Sequence, residues 1–247
     1  MTPTLLCDLD DTLFDHSGAT RDALAVVRND TPAFQSWSLD EFDRHHRVVL
    51  EALHLEVLAG KWTVEEARVE RFRQLLMTAG VEQSRADVLD GLSWGYRHAY
   101  EAAWRMIPGA LELAAASKAA GWRLVIVTNN VVREQRLKVE RGGLAPLIDA
   151  LVTSEEFGAS KPDPRIIHHA IARVAATADE SVVFGDSLST DIAGARAAGV
   201  RAVWFNRWRL PSPDPSLVEV HSLEPAMRIL QILAEQAPST TATGLNR

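Results

Sequence analysis

The spacing of apolar and polar positions changes character along this chain, and each change predicts a different kind of element. Leu5 to Leu9 is a short apolar run that gives way to the polar cluster Asp10-Asp11-Thr12, the pattern of a buried strand that delivers Asp8 and Asp10 at its end. The next stretch is helical. Ser38-Leu39-Asp40-Glu41 and Thr63-Val64-Glu65-Glu66 are capping-box patterns, each followed by apolar residues at helical spacing, and Gly60 and Gly80 punctuate these helices. A further helix is expected over 86–104, with Leu89, Leu92, Tyr96, Ala99 and Ala103 on one face.

After Pro108-Gly109 the pattern turns to alternation. A helix over 110–120 stops at Gly121, and the apolar run Leu124-Val125-Ile126-Val127 predicts a strand that ends at Thr128-Asn129-Asn130. A helix near 133–140 follows, then a short strand at Leu151-Val152, a helix from Asp163 to Val174, and a strand from Ser181 to Phe184. The helix 191–198 and the strand 202–205 complete the series. Strands alternating with helices of this length imply an α/β fold, a Rossmann-like parallel sheet covered on both faces. The expected organisation is a core of residues 1–16 and 106–237, interrupted by a helical insertion over 17–105. Residues 238–247 lack apolar periodicity and are expected to be a disordered tail.

Composition adds limits to this picture. With 33 acidic against 26 basic residues the net charge is −7, which argues against broad nucleic-acid binding but not against a small phosphorylated ligand. No apolar run is long enough for a membrane span, and no secretory signal is evident at the N-terminus. Cys7 is the only cysteine, so no intramolecular disulfide can form, and a cytoplasmic location is expected.

In an open parallel sheet, ligands bind beyond the carboxyl ends of the strands. Here those ends carry Asp8 and Asp10, Thr128 and Asn129, the loop Ser160-Lys161-Pro162, and Asp186 with Asp191. Clustered carboxylates need a cation between them, and oxygen-only ligands beside a phosphate site favour Mg²⁺. Lys161 offers a positive charge to a phosphate oxygen, and Thr128 a hydroxyl. A carboxylate can attack phosphorus and form an aspartyl-phosphate, while a second one two residues along the strand, on the same face, transfers protons. Asp163 reads as a helix N-cap, and Asp11 as pointing to the other face from Asp10. His45-His46 and His168-His169 read as helix-surface residues. His16, where the chain enters the helical block, is a candidate substrate contact. So are Lys61 and Trp62 in the break between two helices, and Arg71 in the helix that follows.

These segments resemble the haloacid dehalogenase superfamily of phosphohydrolases. Its four motifs look like Asp8-Leu9-Asp10-Asp11-Thr12-Leu13, Val125-Ile126-Val127-Thr128-Asn129, Ser160-Lys161-Pro162-Asp163-Pro164, and Gly185-Asp186-Ser187-Leu188-Ser189-Thr190-Asp191, in the family's order. The resemblance implies a phosphoric monoester hydrolase with Asp8 as nucleophile and Asp10 as general acid/base. It implies Mg²⁺ held by Asp8, the Asp10 backbone carbonyl and Asp186, with Asp191 supporting the metal or Lys161. Thr128, Asn129 and Lys161 would hold the phosphate, and the helical insertion would be an α-helical cap. Thr128 to Arg136 and Ser154 to Gly158 look like the branch of pyrimidine 5′-nucleotidases and N-acylneuraminate 9-phosphatases, although that branch usually has glycine where this chain has Asn130. The expected substrate is a small phosphomonoester, with a nucleoside 5′-monophosphate ahead of a sugar phosphate or phosphoglycolate, and the expected state a monomer or homodimer. A haloacid dehalogenase would lack the second aspartate, so Asp10 argues against that activity. A phosphomutase or a phosphate-binding protein without catalysis are further alternatives. A signalling receiver domain also gathers Asp, Thr and Lys at strand ends, but it is about half this length, lacks a helical insertion and orders its motifs differently.

Overall fold

The structure is a computed structural model that describes residues 2–236, so the expected tail over 238–247 lies outside the described residues. In chain order, strand β1 (Thr4–Cys7) is followed by four helices: α1 (His16–Asp30), α2 (Leu39–Leu58), α3 (Val64–Thr78) and α4 (Ala86–Ala102). Next come α5 (Ala110–Ala119), β2 (Arg123–Thr128), α6 (Val132–Arg141), β3 (Ala150–Thr153), α7 (Ser154–Phe157) and α8 (Pro164–Arg173). Then follow β4 (Ser181–Gly185), a π-helical turn (Leu188–Ile192), α9 (Ala193–Ala197), β5 (Arg201–Phe205), β6 (Glu219–Val220) and α10 (Ala226–Gln236). The chain divides into two compact units, Met1–Asp15 with Arg105–Arg247, and His16–Trp104.

The first unit is built on a six-stranded sheet in the order β3-β2-β1-β4-β5-β6, with every pairing parallel. Strand β1 lies at its centre, where Leu5 pairs with Leu124 of β2 on one side and Val182 of β4 on the other. The chain builds outward from β1 in one direction through β2 and β3, then in the other through β4, β5 and β6. The strand order therefore reverses beside β1, the position at which such sheets open a crevice beyond their carboxyl ends. Strand residues alternate between the two faces. Leu6, Val125, Val127 and Val183 pack on one face with Ile166, Ile167, Ala170 and Ile171 of α8 and Ala195 of α9.

Several sequence-based boundaries differ by a residue or two. One difference has a physical cause: the helix expected over 191–198 begins with a π-helical turn, and Asp191 is buried within it. The short strand β6 and helix α10 follow a stretch rich in Pro and Ser and were not expected, although Ile229, Leu230 and Leu233 of α10 are spaced as the buried face of a helix. Asp163 caps α8 by accepting a hydrogen bond from the Arg165 backbone N–H. At the end of the first core segment, the Asp15 N–H donates to the Arg105 carbonyl at 3.0 Å. The Asp15 carboxylate takes Arg105 Nε at 2.7 Å and Arg207 Nη2 at 2.9 Å. The two chain segments at which the helical unit is inserted are thus tied to each other and to the loop after β5.

The second unit is entirely helical among its described residues. Both capping boxes form: Ser38 Oγ accepts from the Glu41 N–H while Glu41 takes the Ser38 N–H, and Thr63 and Glu66 repeat the arrangement. Its core is aromatic. Phe34 and Phe42 stack with ring centroids 4.6 Å apart, Trp37 lies against both, and Phe72 meets Tyr96 at 5.6 Å. Phe42 has no solvent exposure. Phe42→Ala is expected to lower unfolding stability by about 3–5 kcal/mol, measured by denaturant titration. A loss below about 1 kcal/mol would mean that the aromatic cluster does not hold this unit together.

Candidate active site

The site grows out of the ends of β1 and β4. Asp8 follows β1 directly, its N–H donating to the Phe184 carbonyl of β4 at 2.9 Å, and its side chain is buried. Strand β4 ends at Gly185, where a Cβ would run into the Asp191 carboxylate. Glycine is therefore required for Asp191 to lie across that strand end. Asp191 is held there by the Ser187 N–H on Oδ2 at 3.0 Å and by Lys161 on Oδ1. Lys161 Nζ donates to Asp8 Oδ1 at 2.5 Å, Asp191 Oδ1 at 2.7 Å and the Val127 carbonyl at 2.7 Å. All three ammonium hydrogens are thereby committed, so Lys161 offers an anion its charge rather than an idle N–H.

Asn129 fixes the loop that carries Lys161. Its Nδ2 donates to the Lys161 carbonyl and its Oδ1 accepts the Lys161 N–H, both at 2.8 Å, so this side chain shapes the loop that carries Lys161. Thr12 lies between two carboxylates. Its hydroxyl is 3.3 Å from both Asp8 Oδ2 and Asp186 Oδ1, and it accepts the Asp186 N–H at 3.1 Å.

Asp8, Asp186 and Asp191 each present an oxygen within 4.8 Å of the others. Burial, and then the charges of Asp191 and Asp10, push the Asp8 carboxyl up to about 7 even though Lys161 pulls against them. Burial, with Asp8, Asp191 and Asp11, pushes Asp186 up to about 8. Burial also works against the Lys161 ammonium, but Asp191 and Asp8 outweigh it and hold its pKa above the ordinary lysine value. Lys161 alone thus does not balance the carboxylates. The donor set is all oxygen, and a divalent cation there would relieve the repulsion that raises both groups, so the residues present fit Mg²⁺.

The Asp10 side chain has different partners. Its Oδ1 accepts from Lys138 Nζ at 2.7 Å, and its Oδ2 from Gln135 Nε2 at 3.0 Å and Asn130 Nδ2 at 3.4 Å. The same Gln135 nitrogen donates to Thr128 Oγ1 at 2.7 Å, which leaves the Thr128 proton available to a ligand. Asn130, the residue that departs from the nucleotidase-like pattern, turns its Oδ1 to the Val131 N–H at 2.8 Å. Asp11, with φ of 63°, lies 3.6 Å from Arg207 through its carboxylate.

The sequence reading assigned no role to Thr12, Glu134, Gln135 or Lys138. Gln135 and Lys138 are three residues apart on α6 and so share a face, and both are fully buried. Two polar residues on the inner face of a helix that follows a motif strand are a signal that sequence does carry.

The four candidates in the helical unit have local partners of their own. His16 opens α1 with Nδ1 2.6 Å from the Tyr100 hydroxyl. Trp62 Nε1 donates to Glu56 Oε2 at 2.7 Å, and exposed Lys61 pairs with the same carboxylate at 3.4 Å. Arg71 is buried with its guanidinium 4.7 Å over Tyr96 and 5.4 Å over Phe72. His46 is not the surface residue its helix pattern suggested. It is buried beside Tyr96, and burial, followed by the nearby charges of Arg71 and His16, holds its pKa well below the usual histidine value.

A family model of haloacid dehalogenase-like hydrolases matches residues 2–199. The chain belongs to that family. Among curated haloacid dehalogenase-like relatives, the HAD-hydrolase YfnB of Bacillus subtilis is 30% identical over 234 residues, covering 93% of this chain and 95% of its own length. Its magnesium-bound crystal form superposes with a TM-score of 0.71 at 26% identity, over 94% of this chain and 98% of that one. A phosphoserine phosphatase of Thermus thermophilus is 35% identical over 144 residues, 58% of this chain and 56% of its own. Pyrimidine 5′-nucleotidase YjjG of Escherichia coli is 34% identical over 110 residues, 44% of this chain and 48% of its own.

In this family member, the packing at Gly185 generates a direct test. In Gly185→Ala the new methyl displaces Asp191 and strips Lys161 of one partner. Stability is expected to fall by about 1–3 kcal/mol, or about 2–4 °C in melting midpoint for each kcal/mol. An unchanged midpoint would mean that Asp191 does not depend on that space.

Proposed function

We propose that this chain is a Mg²⁺-dependent phosphatase that hydrolyses a small-molecule phosphomonoester through an aspartyl-phosphate on Asp8. The observation that carries the reading is the buried set of Asp8, Asp186 and Asp191 with Lys161 bridging two of them, beside a second carboxylate, Asp10, that has partners of its own. Asp8, Asp186 and the backbone carbonyl of Asp10 would hold the metal, and Asp191 anchors Lys161 and borders the cluster. Bound Mg²⁺ supplies positive charge that favours ionised carboxylates and neutralises the substrate's phosphoryl oxygens.

An Asp8 carboxylate oxygen attacks phosphorus, and the bond from phosphorus to the leaving oxygen breaks as Asp10 gives that oxygen its proton. Asp10, now ionised, takes a proton from water. The resulting hydroxide attacks phosphorus, the Asp8–phosphorus bond breaks, and inorganic phosphate leaves. Lys161 and the Thr128 hydroxyl stabilise charge on the transferring group, where most of the catalysis in this class of reaction lies. The loop fixed by Asn129 keeps Lys161 in register.

In this reading residues 1–16 and 106–237 are the catalytic core, and the helical insertion 17–105 is the cap that selects the leaving group. His16 at the entry to the cap, and Lys61, Trp62 and Arg71 within it, are the candidate substrate contacts. A nucleoside 5′-monophosphate is the first substrate to test, supported by the similarity to a protein named a pyrimidine 5′-nucleotidase. An O-phospho amino acid and a sugar phosphate come next, since relatives named for other phosphate esters match as well.

The test is phosphate release from 4-nitrophenyl phosphate and from a panel of nucleotides, sugar phosphates, phosphoserine and phosphoglycolate. Asp8→Asn should lower turnover by at least about 10³-fold while the far-ultraviolet spectrum stays that of the parent. Retained turnover would remove Asp8 as nucleophile. Excess EDTA should silence the parent protein and added Mg²⁺ should restore it, so full turnover in the chelator would refute the metal role.

A further inference from the structure

Lys138 has no solvent exposure, yet it lies on α6 rather than in any of the four motif segments. Its Nζ is 2.7 Å from Asp10 Oδ1, 3.3 Å from Glu134 Oε1, and 4.8 Å from the centroid of the Phe14 ring. Glu134 is itself buried, one turn back along the same helix. Gln135 completes the arrangement by donating to Asp10 Oδ2. Each Asp10 oxygen therefore has its own donor from α6, which fixes both the direction and the rotation of the carboxyl group.

Fold stability gives little reason for this burial. Removing an ammonium from water costs several kcal/mol, and apolar side chains of similar volume commonly replace buried ion pairs without loss. A lysine held between two carboxylates is better explained by what it does to one of them. A group that transfers protons in two successive steps must meet the leaving oxygen and then the incoming water from one fixed place. A displacement of about 1 Å can cost about 10²-fold in rate.

We propose that Lys138 is a positioning residue that orients the Asp10 carboxyl for both proton transfers, with Glu134 as the buried anchor that holds the ammonium in place. The inference rests on the assignment of Asp10 as the proton-transferring group. Lys138 acts only through Asp10 and is not placed in contact with substrate.

The two half-reactions separate this role from a structural one. The phenolate of 4-nitrophenyl phosphate leaves without help from a proton, whereas breakdown of the aspartyl-phosphate still needs Asp10 to activate water. In the full chain with Mg²⁺, Lys138→Met should therefore retain a first-turnover burst of nitrophenolate stoichiometric with enzyme, at a rate within about threefold of the parent. Its steady-state turnover should fall by about 10²-fold, and turnover on an alkyl phosphomonoester such as glycerol phosphate should fall at least as far. Lys138→Met leaves Glu134 buried without its ammonium, so Lys138→Met/Glu134→Gln is measured beside it and should show the same split.

Steady-state turnover within about threefold of the parent in a folded variant would overturn the proposal. So would a burst rate reduced by the same factor as turnover, which is the mark of a collapsed site. If neither variant folds, Lys138 is a folding residue and the proposal fails. A parent protein that releases no phosphate from any probe would bring down the phosphatase reading and this inference together. An active parent with indifferent variants brings down this inference alone.

Discussion

A single buried ammonium, that of Lys161, sets the geometry of the first unit's crevice. Burying an ion costs several kcal/mol, and the cost is offset only if every donor finds a good acceptor. Here the acceptors come from three separate places: Asp8 after β1, the Val127 carbonyl in β2, and Asp191 in the turn after β4. Those strands must be neighbours and in register for the three to converge, which the order β2-β1-β4 provides. The smaller features follow from this. Gly185 lacks a side chain because Asp191 occupies that volume, and both polar atoms of Asn129 bond the Lys161 backbone and so orient its loop.

Lys161 has a counterpart in Lys138. Asp8 and Asp10 are two residues apart and leave β1 together, yet each is paired with its own buried lysine. Asp8 takes the one carried by the loop between α7 and α8, and Asp10 the one carried by the helix after β2. The partners differ in what surrounds them. Asp8 lies among further carboxylates that raise its proton affinity and suit a cation. Asp10 lies among nitrogen donors from α6 and Asn130. Two aspartates of identical chemistry thereby acquire different surroundings, and different environments are how one kind of side chain comes to perform two tasks.

The helical unit follows another logic. Its polar residues satisfy one another locally: His16 with Tyr100, Trp62 and Lys61 with Glu56, and Arg71 against the Tyr96 ring. Its stability comes from capped helices and an aromatic core around Phe34, Phe42 and Phe72, features that constrain sequence by size and period rather than by chemical identity.

The sequence by itself determined the alternation of strands and helices, the two capping boxes, the N-cap at Asp163, the strand ends that carry Asp8, Thr128 and Asp186, and the loop that carries Lys161. These are local facts: period, turn residues and polar positions at the ends of apolar runs are written within a few residues of one another. Tertiary structure alone decided which charges meet. That Lys161 joins Asp8 to Asp191, that Asn129 serves the Lys161 backbone, and that Lys138 and Gln135 hold Asp10 all depend on contacts between residues more than 25 positions apart. Burial of His46 was settled in the same way, since a histidine on an amphipathic helix faces water or a partner according to what packs against it. A parallel sheet forms between strands distant in sequence, so the site beyond the carboxyl ends of its central strands is assembled only when those strands pair.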